Sequence, residues 1–204
     1  MKNKIIAVIG AGGKTTLIHR LAEEYRRKGA SVLVSTTTHM LVEPDTDLSC
    51  DSFAIMEKIK KTGYCMAGAV CPENSAKMQS LPEQILHDLM KQVDYALIEA
   101  DGAKHYALKY PSEQEPVIPE GTTDVILVLG SWDLGKPCKD VVFRFEHMTS
   151  ALGISGDMKA DKQMLQWIWQ AYEEKLKNMD YQGHFHVLLS EKTDQGLMFH
   201  TLEE

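Results

Sequence analysis

A glycine-rich segment near the start of the chain has the residue types that bind phosphate. The run IIAVIGAGGKTT is apolar at first and then turns through three glycines into Lys-Thr-Thr. Glycine allows positive φ, so the backbone can bring its N–H groups close to an anion. In such a loop the lysine contacts the β- and γ-phosphates, the first threonine hydroxyl binds Mg²⁺, and the following helix N-terminus favours phosphate. The predicted nucleotide-binding residues are Gly10, Ala11, Gly12, Gly13, Lys14, Thr15 and Thr16.

The spacing of this loop differs from the common phosphate-loop pattern. G-x-x-x-x-G-K-[ST] would require glycine at position 8, where the chain has Val8. The loop is two residues shorter, G-x-x-G-K-T-T, and in this form it resembles the phosphate loop of Mur-type amide ligases. An ordinary strand-to-helix turn with an exposed lysine is the alternative. The strand before the loop and the amphipathic helix after it favour nucleotide binding.

Two carboxylates follow a second apolar run, DYALIEADGA. Glu99 and Asp101 alternate along an extended segment and therefore share one face. One would hold Mg²⁺, directly or through water, while the other orients the attacking water or substrate. A solvated pair of charges at a strand end is the alternative. Glu99 and Asp101 are predicted catalytic residues, together with Lys14 of the glycine loop.

A threonine run also ends a predicted strand, at Thr36, Thr37 and Thr38, and His39 follows it. Open α/β sheets bind ligands at the carboxyl ends of their strands, so a hydroxyl here would complete a Mg²⁺ shell or contact the γ-phosphate. The β-propensity of threonine explains the run equally well. The predicted Mg²⁺ ligands are Thr15, Thr37, Glu99 and Asp101.

The order of apolar runs and helical patterns predicts the fold. Strand, helix and strand alternate at the start of the chain, which indicates a parallel sheet. We predict an α/β, P-loop NTPase-like fold with a doubly wound, mostly parallel sheet flanked by helices, in a single domain over residues 1–204. Predicted helices span about 14–28, 55–61, 82–93 and 159–176. Predicted strands after the first span about 31–37, 64–70, 95–99, 124–129 and 184–189, with a short tail behind them.

Composition excludes several classes of function. The formal net charge of −7 over 204 residues argues against nucleic acid or an anionic membrane as the main partner. No apolar run approaches the length of a membrane span, and no signal-type segment precedes the first strand, so we expect a cytoplasmic protein. The cysteines have no CxxC spacing and are expected to be reduced, buried or half-buried side chains rather than metal ligands. They are Cys50, Cys65, Cys71 and Cys138.

The motifs together resemble one protein family. IAVIGAGGKTT, VSTTTHM, LIEADGA with LKYPSEQEPVIP, and VLG-x-x-x-x-G-K-P occur in this order between Ile5 and Glu146. This order is similar to that of the YqeC-type accessory proteins of selenium-dependent molybdenum hydroxylases. The resemblance implies a P-loop nucleotide-binding fold and a role in maturing a molybdenum enzyme, with the hydroxylase or its cofactor as a partner. It implies no defined reaction.

The chain departs from this family pattern at two positions. Gln114 and Phe143 stand where histidine is expected, so no role is assigned to a histidine there. Lys109, Glu115 and Arg144 are the remaining polar residues of interest. Lys109 is a predicted catalytic residue that would stabilise transferring charge near the phosphates. Solvated surface charge is the alternative for all three.

The last predicted strand leads into Glu191-Lys192-Thr193-Asp194, which would be the guanine-reading N-K-x-D if residue 191 were asparagine. A carboxylate cannot donate the hydrogen bonds that asparagine does, so a surface turn and a preference for ATP are favoured. The predicted cofactors are therefore ATP or GTP with Mg²⁺. Three functions remain open: an NTP-hydrolysing or phosphoryl-transferring enzyme, a nucleotide-gated binding module, and an ATP-dependent carboxylate-activating ligase.

Overall fold

Helices and strands alternate along most of the chain in the computed structural model, which describes residues 3–202. The strands are β1 (Lys4–Gly10), β2 (Val32–Thr36), β3 (His39–Leu41), β4 (Tyr64–Met66), β5 (Ala69–Val70), β6 (Lys77–Gln79), β7 (Tyr95–Glu99), β8 (Leu108–Lys109), β9 (Asp124–Gly130), β10 (Val142–Phe143), β11 (His184–Thr193) and β12 (Gly196–Thr201). The helices are α1 (Lys14–Arg27), α2 (Ser52–Thr62), α3 (Glu83–Gln92), α4 (Cys138–Val141), α5 (Phe145–Leu152) and α6 (Lys162–Asn178).

These elements form two compact units. Within the described residues, the first unit comprises 3–8, 15–102 and 117–124, and the second comprises 9–14, 103–116 and 125–202. The predicted α/β class, with a mostly parallel central sheet flanked by helices, is confirmed. The finer assignment to a doubly wound, P-loop NTPase-like fold stays a prediction, as does the single domain.

In the first unit, the strands β1, β7, β2 and β4 lie side by side in that order, and each pairs with its neighbour in parallel. Their residues are almost entirely apolar and buried, as expected of parallel strands covered on both faces. The register places Glu99 beside Val8 on one side and beside Thr36 on the other. The first carboxylate therefore lies at the carboxyl end of the first unit's central strands.

Helices α2 and α3 cover part of this sheet. Asp51 caps α2 by accepting hydrogen bonds from the backbone N–H groups of Phe53 and Ala54, and Gly63 ends it in the left-handed conformation. The apolar faces of both helices join one buried cluster with β2 and β7. Both helices were predicted from sequence, and their existence is confirmed within a few residues of the expected ends.

The predicted strand over residues 64–70 is wrong, because the chain leaves one sheet and enters another within it. β4 pairs with β2, whereas β5 belongs to a three-stranded antiparallel sheet in the order β3-β6-β5. Gly68 lies at the change of sheet, where a Cβ would approach the Gln79 carbonyl oxygen to 2.9 Å. The small sheet buries Met40 and Met78.

In the second unit, strands β9, β11 and β12 are adjacent in that order, and β11 pairs with β12 as an antiparallel hairpin. The sequence predicted a strand over 184–189 and a tail, so it missed both the extension of β11 to Thr193 and all of β12. Helix α6 begins after Asp161, whose carboxylate accepts from the Met164 backbone N–H at 3.0 Å. Its predicted start at 159 was three residues early.

Between β7 and β9 in the sequence the chain forms β8, which pairs in parallel with β10. Among residues 3–202, no helix combines the length and the apolarity that crossing a bilayer requires.

Candidate nucleotide site

The glycine loop connects β1 to α1 and has the backbone that its composition predicts. Gly10, Gly12 and Gly13 have φ values of +88°, +84° and +112°. A Cβ on Gly12 would lie 2.5 Å from the Gly130 backbone nitrogen, so glycine is required there by both space and conformation. The Ala11 N–H donates to the Val128 carbonyl at 2.9 Å. Within the second unit, the loop is therefore held closely against the end of β9.

Lys14 is the first residue of α1 and is only 5% exposed. Its ammonium group donates to the Gly10 carbonyl oxygen at 2.8 Å, so the side chain folds back along the loop that precedes it. A buried cation at the start of a helix, beside loop N–H groups, provides positive charge of the kind that binds phosphate.

Thr15 lies in the first unit and contacts the first of the two predicted carboxylates. Its hydroxyl donates to Glu99 Oε2 at 2.8 Å, and Glu99 is 7% exposed. The glycine-loop threonine and the strand-end carboxylate were predicted from separate motifs, and the fold brings their oxygen atoms together. Thr16, the next residue of the first turn of α1, is half-buried.

The threonine run at the end of β2 hydrogen-bonds to the backbone at the end of β7, where Glu99 lies. Thr36 Oγ1 donates to the Glu99 carbonyl at 2.8 Å, and the Thr37 N–H donates to the same oxygen at 3.1 Å. The Thr37 hydroxyl donates to the Val117 carbonyl at 2.7 Å. Asp101 is completely buried two residues beyond Glu99. All four predicted Mg²⁺ ligands thus belong to the first unit, at or just beyond the ends of its elements.

Lys109 forms an ion-pair cluster in the second unit. Its fully buried ammonium group lies 2.8 Å from Glu115 Oε2, and Arg144 Nη1 lies 2.7 Å from the same oxygen. Arg144 also hydrogen-bonds the Ser112 hydroxyl. The predicted catalytic lysine is therefore paired with a carboxylate from the loop that follows β8. Because the buried ammonium group of Lys109 requires a partner, its ion pair with Glu115 holds this loop in place.

Phe143, which replaces an expected histidine, takes part in this cluster through its ring. The Lys109 ammonium lies 5.9 Å from the ring centroid, and the Arg144 guanidinium lies 5.3 Å from it. Cations are attracted to the face of an aromatic ring at such distances. Lys175 of α6 also contacts the loop that follows β8. Its ammonium group donates to the Glu113 carbonyl at 2.7 Å, and burial lowers the pKa of Lys175.

The β11–β12 hairpin contacts the glycine loop, which the sequence did not predict. The buried Ser190 hydroxyl donates to the Gly12 carbonyl. A Cβ on Gly13 would lie 2.6 Å from Leu197 Cδ1 and 3.6 Å from the Phe199 ring. No motif marked these residues, because strand β12 was not recognised.

The Glu191-to-Asp194 segment is mostly strand rather than loop. Glu191 and Lys192 pair with Met198 and Leu197, and the hairpin turn begins at Asp194. The Lys192 ammonium lies 4.5 Å from the centroid of the Trp132 ring. The guanine-reading interpretation needs this lysine along a base, whereas here it covers an indole.

The fold and these contacts define an α/β protein with a glycine-rich strand-to-helix loop, whose threonine is hydrogen-bonded to a strand-end carboxylate. The chain belongs to the family described as YqeC protein, whose model matches residues 6–146. The family resemblance predicted from the order of the motifs is therefore confirmed.

One relative is the "Uncharacterized protein YqeC" of Escherichia coli (strain K12), which is 34% identical over 161 residues. The match covers 75% of this chain and 62% of the relative, so the chain spans less than two thirds of the relative's length. No solved structure matches the chain.

Proposed function

We propose that the chain binds a nucleoside triphosphate, ATP or GTP, at the glycine loop and transfers or hydrolyses its terminal phosphoryl group with Mg²⁺. The observation that carries this proposal is the 2.8 Å hydrogen bond from the Thr15 hydroxyl to Glu99. In P-loop NTPases Mg²⁺ is held by the loop Ser/Thr together with a strand-end acidic residue. The same two residue types meet here.

The donor set fits Mg²⁺, which prefers hard oxygen ligands. Thr15 and Glu99 offer a hydroxyl and a carboxylate, and Asp101 and Thr37 add a second carboxylate and a second hydroxyl at the same ends of elements. When bound, Mg²⁺ would neutralise charge that develops on the phosphates.

The remaining residues have separate roles in this proposal. The loop N–H groups and the Lys14 ammonium bind the phosphates, and the buried carboxylate of Asp101 orients the nucleophile and accepts its proton. Lys109 would add positive charge from its cluster with Glu115. From the resemblance of the motifs to molybdenum-hydroxylase accessory proteins, we also propose a role in maturing such a hydroxylase in the cytoplasm, with the hydroxylase or its cofactor as client.

A nucleotide-gated binding module is the second candidate, and one set of contacts favours it. Thr36 and Thr37 both donate to the backbone carbonyl of Glu99, and His39, two residues later, begins the separate β3-β6-β5 sheet. A change at Glu99 would therefore be transmitted to a sheet that exposes Leu41 by 50% and Val70 by 57%. Exposed apolar side chains of this kind suit a client surface.

Calorimetric titration with Mg-ATP and Mg-GTP tests the proposal. Wild-type protein should bind one nucleotide, and Glu99→Gln should lose the Mg²⁺ dependence of binding and turnover. Glu23→Gln is the matched control, because Glu23 is exposed on α1 and its carboxylate pairs with Arg27 at 3.4 Å. Nucleotide binding that is absent from folded wild-type protein would refute the proposal. Slow turnover that rises when the hydroxylase is added would favour the gated module.

A further inference from the structure

We propose that His39, Cys71 and Glu73 form a binding site for a borderline transition-metal cation of the Zn²⁺ class. One potential ligand atom from each residue lies within 4.8 Å of the others: an imidazole nitrogen, a thiol sulfur and a carboxylate oxygen. His39 is distant in the sequence from Cys71 and Glu73, so only the fold brings it to them. This proposal does not rest on the proposed nucleotide site, which uses other residues.

The separations approach those of a coordinated metal. Two ligands on one tetrahedral Zn²⁺, with bonds of about 2.3 Å to sulfur and about 2.1 Å to oxygen, would lie about 3.6 Å apart. Cys71 Sγ and Glu73 Oε2 are 3.4 Å apart. The His39 ligand atom lies within 4.8 Å of both, and its side chain is exposed and can rotate towards them.

Strands β3 and β5 pair with opposite edges of β6, so His39 on β3 and the turn that follows β5 are held by the same small sheet. His39 on β3 and Ala69 on β5 both pair with Gln79 on the central strand β6. The turn that carries Cys71 is closed by the Asn74 N–H, which donates to the Cys71 carbonyl at 3.2 Å. The Asn74 side chain in turn accepts from the Ala76 N–H at 3.0 Å. The site is thus built on a strand and a fixed turn rather than on a flexible loop.

The ligand types select the class of metal. A thiolate and an imidazole favour Zn²⁺ and similar cations, whereas Mg²⁺ prefers an all-oxygen set. Three protein ligands leave a fourth tetrahedral position for water or a substrate, as in catalytic rather than closed structural zinc sites. Cys71 is 3% exposed, so its thiol is shielded while His39 and Glu73 face solvent. The ordinary alternative is a buried structural cysteine beside two surface side chains.

Titration of the metal-free, reduced full chain with Co²⁺ tests the site, because thiolate-bound Co²⁺ gives a charge-transfer absorption band. Wild-type protein should show this band at one Co²⁺ per chain, and Zn²⁺ should displace it. Cys71→Ser should abolish the band, and His39→Gln and Glu73→Gln should each weaken binding by at least about tenfold. Cys50→Ser is the matched control, since Cys50 is half-buried and outside the trio.

A second readout covers the case in which Cys71→Ser does not fold. Zn²⁺ that binds the folded state should raise the thermal midpoint of wild-type protein by an amount that grows with the logarithm of its concentration above the Kd. The variants of the two exposed residues, His39→Gln and Glu73→Gln, should fold and lose this shift. A folded wild-type chain without the band, or a band that survives in Cys71→Ser or disappears in Cys50→Ser, would overturn the proposal. Lys14→Ala, which tests the nucleotide site, should leave Co²⁺ binding unchanged, so the two proposals fail independently.

Discussion

Replacement of Lys14 by alanine should abolish nucleotide binding without unfolding the protein. The ammonium group is 5% exposed and 2.8 Å from the Gly10 carbonyl oxygen, which places it against the loop that would hold the phosphates. The side chain is not part of the apolar core. Its charge therefore serves the ligand more than the fold.

The expected loss can be calculated from Coulomb's law. A unit charge about 4 Å from a phosphate charge, at an effective dielectric constant of about 20, contributes about 4 kcal/mol. This corresponds to an affinity decrease of about a thousandfold. The folded state loses one charge-assisted hydrogen bond to Gly10, which contributes no more than about 2 to 3 kcal/mol to stability. The variant also no longer bears the desolvation cost of a buried ammonium group, which offsets part of that loss of stability.

Isothermal titration with Mg-ATP and Mg-GTP measures the affinity, and denaturant unfolding measures the stability. Lys14→Met serves as a second variant, because it keeps the aliphatic stem and removes only the charge. Lys28→Ala is the matched control, since Lys28 is exposed after the other end of α1 and pairs with Glu24 at 2.5 Å. Nucleotide affinity within about threefold of wild type in folded Lys14→Met would refute the assignment of this loop.

Three further predictions concern other residues. Thr15→Val should weaken Mg²⁺-dependent nucleotide binding about tenfold or more, because it removes the hydroxyl that now contacts Glu99; equal Mg²⁺ dependence in calorimetry would contradict this. Asp194→Ala should leave the ATP-to-GTP preference unchanged, since Asp194 begins an exposed hairpin turn; a tenfold GTP preference lost in this variant would establish a guanine reader. Burial raises the pKa of the Cys65 thiol to about 11 from an ordinary 9, so its stabilising contribution is complete below pH 9 and is lost between pH 9 and about 11. Denaturant unfolding should show this loss, up to about 3 kcal/mol, and Cys65→Ala should flatten it.

The parts of the fold that were predictable carry local signals. The buried runs of β1, β2, β7 and β9 are continuous and apolar, and the glycines before Lys14 permit the positive φ values that the loop adopts. Helix α1 was expected over 14–28 and extends over Lys14–Arg27. For these elements, the residues of each segment determine its structure without reference to distant ones.

The parts that were missed depend on pairing between distant residues. β12 has the sequence GLMFHT, in which three apolar residues are consecutive, so the sequence shows no alternation of apolar and polar residues to detect. The change of sheet at Gly68 depends on Met78 and Gln79, which occupy the space a side chain would need. Likewise, nothing near Cys71 indicates that His39 lies beside it.

For the candidate site, the types of residue were predictable and their contacts were not. Glu99 and Thr15 were both assigned to Mg²⁺, but only the fold shows that they share a hydrogen bond. Lys109 was predicted to act near the phosphates, and only the fold shows that it pairs with Glu115, which also pairs with Arg144. A motif indicates the chemistry of one residue. Which side chain that residue contacts depends on the order of the strands in the sheet and on the path of the loops between them.

Two contacts of the glycine loop come from a late part of the chain. The Ser190 hydroxyl donates to the Gly12 carbonyl, and Leu197 lies close to Gly13. The glycine loop lies within the family match, which spans residues 6–146, whereas both of these hairpin residues lie outside it. Relatives could therefore keep the same loop sequence and still differ in nucleotide affinity by exchanging the segment that covers it. Chimeras in which the hairpin is transplanted between relatives would reveal whether this late segment tunes an otherwise shared site.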